Sequence, residues 1–157
     1  MKLMDFVVEE AIVADLKGTQ RDDVIKELVD VLVASGAAPK AVREELIKLI
    51  LDREKHGSTG FGKGVAVPHV KHDKIKHMAA AIGVSSQGVD FNALDKAPVF
   101  SIVLLLSPKD KAADHLHAME SIFSNLQKDT FRRFLRQAST VQEVKELLQE
   151  ADAQQLH

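Results

Sequence analysis

The period of the apolar positions changes several times along the chain. Val99–Leu106 is an almost unbroken apolar run, rich in β-branched residues and stopped by Ser107-Pro108. That pattern predicts a strand buried on both faces. Met78–Val84 is small and apolar and predicts another strand. Shorter ones are expected at Ala11–Leu16 and Val65–Val67. Val24, Leu28, Val31 and Leu32 recur at helical spacing, with Thr19 placed as an N-cap, Asp22 and Asp23 in the first turn and Gly36 as the stop. Pro39 opens a second helix with the stripe Val42, Leu46, Leu49 and Ile50. It runs to about Lys55 and leaves Arg53 in its last turn.

Residues 71–77 are polar, and a turn plus an irregular segment is expected from Gly88 to Pro98. The last third predicts helices over roughly 112–127, 130–137 and 141–151, the last opened by Thr140 and Glu143 at capping-box spacing. A polar tail from about Asp152 is expected to fray. The order β-α-α-β-β-β-α-α-α fits a sheet covered on both faces. The expected fold is α/β: a three-layer α/β/α sandwich with a mixed, mostly five-stranded sheet, residues 1–157 forming one domain.

Composition removes several classes of function. At 45% hydrophobic and 28% charged residues the chain is globular, and a formal net charge of -2 supplies no basic field for nucleic acid. Without Trp or Tyr there are few platforms for stacking bases. The absence of cysteine excludes disulfides, thiolate catalysis and Cys-ligated metals. The N-terminal Met1-Lys2-Leu3-Met4-Asp5 is unlike a signal peptide, and the run at 99–106 is too short to span a bilayer. A cytoplasmic protein without membrane insertion is expected.

The most unusual stretch places Gly57, Gly60, Gly62 and Gly64 ahead of Val65-Ala66-Val67-Pro68-His69. Gly57-x4-Gly62-Lys63-Gly64 nearly spells a nucleotide P-loop, but Gly64 stands where a magnesium-binding hydroxyl is required. The context is also reversed, since this loop follows a helix and opens a strand. Clustered glycines can turn several backbone N–H groups into one anion-binding concavity. Alternatively, Ser58 and Thr59 hydrogen-bond within the loop, and Arg53 merely pairs with a neighbouring carboxylate.

Arg53-Glu54-x-x-Gly57-Ser58-Thr59-Gly60-x-Gly62-x-Gly64-Val65-Ala66-Val67-Pro68-His69 resembles the signature of the type-2 IIA proteins (fructose, mannitol and nitrogen-regulatory) of the bacterial sugar phosphotransferase system. His115-Leu116-His117 falls where that family has a second histidine, and the resemblance covers nearly the whole chain. It implies that His69 accepts a phosphoryl group from the phosphocarrier HPr and passes it to a IIB domain, through Nε2. His115 and Arg53 would be its stabilisers, and Gly57, Ser58, Thr59, Gly60, Gly62 and Gly64 the phosphoryl-binding loop. No cofactor and no metal are implied. Val70 departs from the glycine that many members carry. Nitrogen-type members imply an alternative, in which phosphorylation controls binding to regulatory protein targets.

The chemistry suits the residues. Neutral imidazole is nucleophilic near neutral pH, and phosphoryl transfer asks mainly for positioning and charge stabilisation. The Arg53 fork can bind two phosphoryl oxygens. At about 100° per residue, His115 borders a helix face formed by Leu116, Met119, Ile122, Phe123 and Leu126, while His117 lies opposite. His115 is thereby expected to face the sheet and His117 water. His56, His72, His77, His117 and His157 are read as surface or internally satisfied residues. Phe61 and Val70 are expected to supply an apolar rim for partners. A rival reading is a metal-dependent hydrolase using His69, His72 and His115 with Asp73 or Asp114.

Overall fold

The computed structural model describes residues 1–154; His157 and the end of the polar tail lie outside the described residues. In chain order, the strands are β1 (Val7–Val13), β2 (Val65–Ala66), β3 (His69–His72), β4 (Ala79–Val89) and β5 (Val99–Pro108). The helices are α1 (Arg21–Ala34), α2 (Arg43–Lys55), α3 (Ala112–Leu126), α4 (Asp129–Gln137) and α5 (Val141–Asp152).

The strands form one mixed sheet in the order β1-β4-β5-β2, with β3 also on β5. Only the β4–β5 pairing is antiparallel; β1 runs parallel to β4, and β2 and β3 run parallel to β5. Alternation along β5 separates two cores. Ile102, Leu104 and Leu106 join α1 and α2 on one face, whereas Val103 and Leu105 join α3, α4 and α5 on the other. This is the three-layer α/β/α sandwich with a five-stranded mixed sheet. Leu104, Leu105 and Leu106 are fully buried. Truncating any one to alanine costs about 2–5 kcal/mol, so β5 is a stiff platform for the strand beside it.

Several boundaries differ from the pattern-based expectation. The first strand spans 7–13 rather than 11–16. It is an edge strand with an irregular register between Val7 and Ile12, so Glu9 and Glu10 stand in solvent and disguise it. Leu16 lies past its end, with its N–H on the Val84 carbonyl. The cap of α1 is Gln20, not Thr19; no side chain caps it, and the Arg21 N–H and the Thr19 carbonyl instead bond the backbone of Asp90. Pro39 precedes a short 3-10 turn, Lys40–Val42, before α2. β4 continues to Val89, through a register shift after Val84.

The three C-terminal helices match the spacing, and Thr140 Oγ1 accepts the Glu143 N–H as a capping box requires. Asp152 does not fray: its carboxylate accepts the N–H groups of Leu3 and Met4 at 2.6 and 2.9 Å, tying the two ends of the chain together.

Candidate functional site

The polar stretch after Pro68 is a strand. β2 breaks at Val67-Pro68, where proline has no N–H to give, and pairing with β5 resumes at His69. Register places His69 opposite Leu105 and Lys71 opposite Ser107, on the face covered by α3. Val70 and His72 turn to the other face. The half-buried His69 ring holds its Nδ1 2.8 Å from the Val67 carbonyl oxygen. A carbonyl can only accept, so Nδ1 carries the proton and Nε2 keeps a lone pair. Proline at position 68, with its fixed φ, pre-sets this two-residue loop-back.

His115 approaches from the first turn of α3. Its ring centroid lies 5.6 Å from that of His69, the planes tilted by 51°. It is buried, and its Nδ1 lies 2.6 Å from Ser107 Oγ. Burial, followed by the nearby charges of His69 and Lys71, lowers its pKa below the ordinary 6.5. The unfolded chain therefore binds this proton at higher pH than the folded chain does. Stability is expected to fall as pH drops below about 6.5. In thermal melts His115→Gln should flatten that part of the pH profile; an unaltered profile would refute the assignment.

The helix-face expectation holds for His115 and His117 but not for Leu116. The buried face of α3 is His115, Ala118, Ile122, Asn125 and Leu126, so His115 lies within it rather than at its border. Leu116 is 57% exposed, and His117 faces water. The expected rim also changes. Phe61 is half-buried with its ring 5.0 Å from that of Phe123 of α3, whereas Val70 packs into the opposite core. Leu116, next to His115 in sequence, is an exposed apolar side chain.

Arg53 donates from Nη1 to the Gly57 carbonyl at 2.7 Å, and no hydrogen bond among the described residues joins it to His69. Three of the loop's backbone donors are engaged internally. The Gly57 N–H bonds the Glu54 carbonyl, the Thr59 N–H the Glu54 carboxylate at 3.0 Å, and the Gly60 N–H Ser58 Oγ at 2.9 Å. The Thr59 hydroxyl also bonds Glu54, whose side chain is buried. Gly60 is needed for packing, since a Cβ there would sit 2.9 Å from that of Ala93. At Gly64 the backbone adopts φ +75° and its carbonyl accepts from Phe100 and Ser101, fixing the start of β2. These contacts give the loop a scaffolding role; Gly62 has φ +110°.

Sequence reasoning missed three residues: Glu54, Lys71 and Ser107. Lys71 was within reach, because two residues along a strand share a face, but only once 69–72 is recognised as a strand. The metal trio does not assemble. His72 lies on the α2 side, with Nε2 3.1 Å from Glu45. Among the described residues no group of three or more His, Cys, Asp or Glu could hold a metal.

The chain belongs to the family described as phosphoenolpyruvate-dependent sugar phosphotransferase system, EIIA 2, whose model matches residues 5–151. Among its relatives, a nitrogen regulatory protein of Bradyrhizobium diazoefficiens is 32% identical over 94% of this chain and 95% of its own length. A fructose-specific EIIABC component of Bacillus subtilis is 28% identical over 97% of this chain, which spans only 24% of that protein. The crystal structure of the nitrogen regulatory protein IIA-Ntr from Neisseria meningitidis superposes with a TM-score of 0.81 at 27% identity, covering 92% of this chain and 97% of that one.

Proposed function

We propose that this protein is a phosphoryl carrier that takes a phosphoryl group from phospho-HPr on His69 and passes it to a IIB domain in sugar uptake of the fructose or mannitol type. The observation that carries the proposal is the pairing of the His69 and His115 imidazoles, with His69 Nδ1 committed to the Val67 carbonyl. The Nε2 lone pair forms the new N–P bond as the bond from phosphorus to the donor protein breaks and its electrons return to the donor. The proton stays on Nδ1, hydrogen-bonded to the Val67 carbonyl, so the phosphorylated ring is cationic and neutral imidazole is a good leaving group in the next transfer.

His115 and Lys71 face the transferred group, and Arg53 swings from the Gly57 carbonyl to bind its oxygens. The loop from Gly57 to Gly64 shapes the approach. His69 is half-buried rather than enclosed, as docking of two successive protein partners requires. No helix among the described residues is long and apolar enough to cross a membrane.

Incubation with phosphoenolpyruvate, enzyme I and HPr is expected to load one acid-labile phosphoryl group per chain, discharged by a IIB domain. Failure to load would sink the proposal. A second reading, in which phosphorylation controls binding to regulatory targets, is favoured by the identity to the nitrogen regulatory relative. It predicts normal loading, slow discharge to IIB domains, and a partner that binds one phosphorylation state alone.

A further inference from the structure

Two imidazoles that do opposite jobs need their protons on opposite nitrogens. On His69 the Val67 carbonyl sets the choice. On His115 the partner is Ser107 Oγ, which can donate or accept. Ser107 ends the apolar run of β5, opposite Lys71, and is fully buried. Among the described residues its hydroxyl has one hydrogen-bond partner, His115 Nδ1. If the hydroxyl accepted from Nδ1–H, its own proton would be buried without an acceptor, and the Nε2 lone pair of His115 would repel an incoming phosphoryl oxygen. If it donates to Nδ1, its proton is used and the ring proton lies on Nε2. Avoiding a buried, unpaired donor favours the second arrangement by a population ratio on the order of tenfold or more.

We propose that Ser107 is a positioning residue that holds His115 in the Nε2–H tautomer and so makes it a hydrogen-bond donor to the phosphoryl group on His69. The inference rests on the carrier reading of His69. The Ser107 hydroxyl takes no part in bond making; it decides which end of a neutral imidazole carries the hydrogen. His115 then stabilises transferring charge without becoming charged itself, as suits its buried position.

Long-range proton–nitrogen spectra of the unphosphorylated protein, carrying 15N-labelled histidine, test this directly above pH 7. His69 is expected as the Nδ1–H tautomer and His115 as the Nε2–H tautomer. In Ser107→Ala, with the amide spectrum confirming the fold, His115 should shift toward Nδ1–H. Phosphoryl uptake should slow about tenfold with the KM for phospho-HPr unchanged, and Ser107→Thr should restore both. An Nδ1–H His115 in the parent protein, or an unmoved tautomer in Ser107→Ala, overturns the proposal. A moved tautomer with unchanged uptake upholds the assignment to Ser107 but overturns the donor role of His115. Failure of the carrier reading shows separately, as absence of label in the parent protein.

Discussion

Replacing His69 by alanine is expected to abolish phosphoryl uptake, by on the order of 10⁴-fold or more, the scale on which enzymes lose rate when a nucleophile is removed. Among the described residues, His115, His72 and His117 are not placed to take over. His115 is buried with Nδ1 engaged by Ser107. His72 lies on the other face of the sheet against Glu45, and His117 is exposed. The substitution should leave the fold intact, because His69 is only half-buried and its backbone pairing with β5 does not depend on the side chain. Label uptake from phosphoenolpyruvate through enzyme I and HPr, measured beside a thermal melt, gives the answer. A folded His69→Ala protein that still loads at the normal rate would overturn the assignment.

The second large effect belongs to His115. Removing one preorganised donor from a site where charge is transferred costs about 10²- to 10³-fold in rate. His115→Ala is therefore expected to slow loading by that factor while the final stoichiometry stays at one phosphoryl group per chain. The distinction matters: a carrier histidine sets how much phosphate is bound, whereas a stabiliser sets how fast. Unchanged kinetics in a folded variant would mean that the two rings are neighbours without a shared task. Arg53 should cost less, because in the unphosphorylated protein its guanidinium rests on the Gly57 carbonyl and has to move.

Much of this arrangement was legible in the residues. The strand at 99–106 and the helices declare themselves by apolar period, because each buries a continuous stripe or run. The glycine loop drew attention to His69, which the structure sets next to His115, and helical spacing separated the buried His115 from the exposed His117.

What the pattern concealed has physical reasons. Both edges of the sheet carry polar residues, Glu9 and Glu10 at β1 and Lys71 and His72 at β3, so the start of β1 is misplaced and β3 reads as loop. Missing β3 hid the alternation that turns Val70 away from the site and brings Lys71 and Ser107 onto it. The cap of α1 is tertiary, supplied by Asp90, and no local rule could reveal it. The contact of Glu54 with Thr59 was not legible either: a buried carboxylate bound to a loop hydroxyl and N–H depends on how the loop folds back over the end of α2.

The central claim is that one nitrogen of one side chain carries the phosphoryl group. Phosphorylating 15N-histidine-labelled protein through enzyme I and HPr, then reading phosphorus–nitrogen coupling by NMR, tests it most directly. A single acid-labile phosphohistidine is expected, with phosphorus bonded to Nε2 of His69 and the proton retained at Nδ1. Phosphorus on His115, on Nδ1 of His69 or on a hydroxyl oxygen would contradict it.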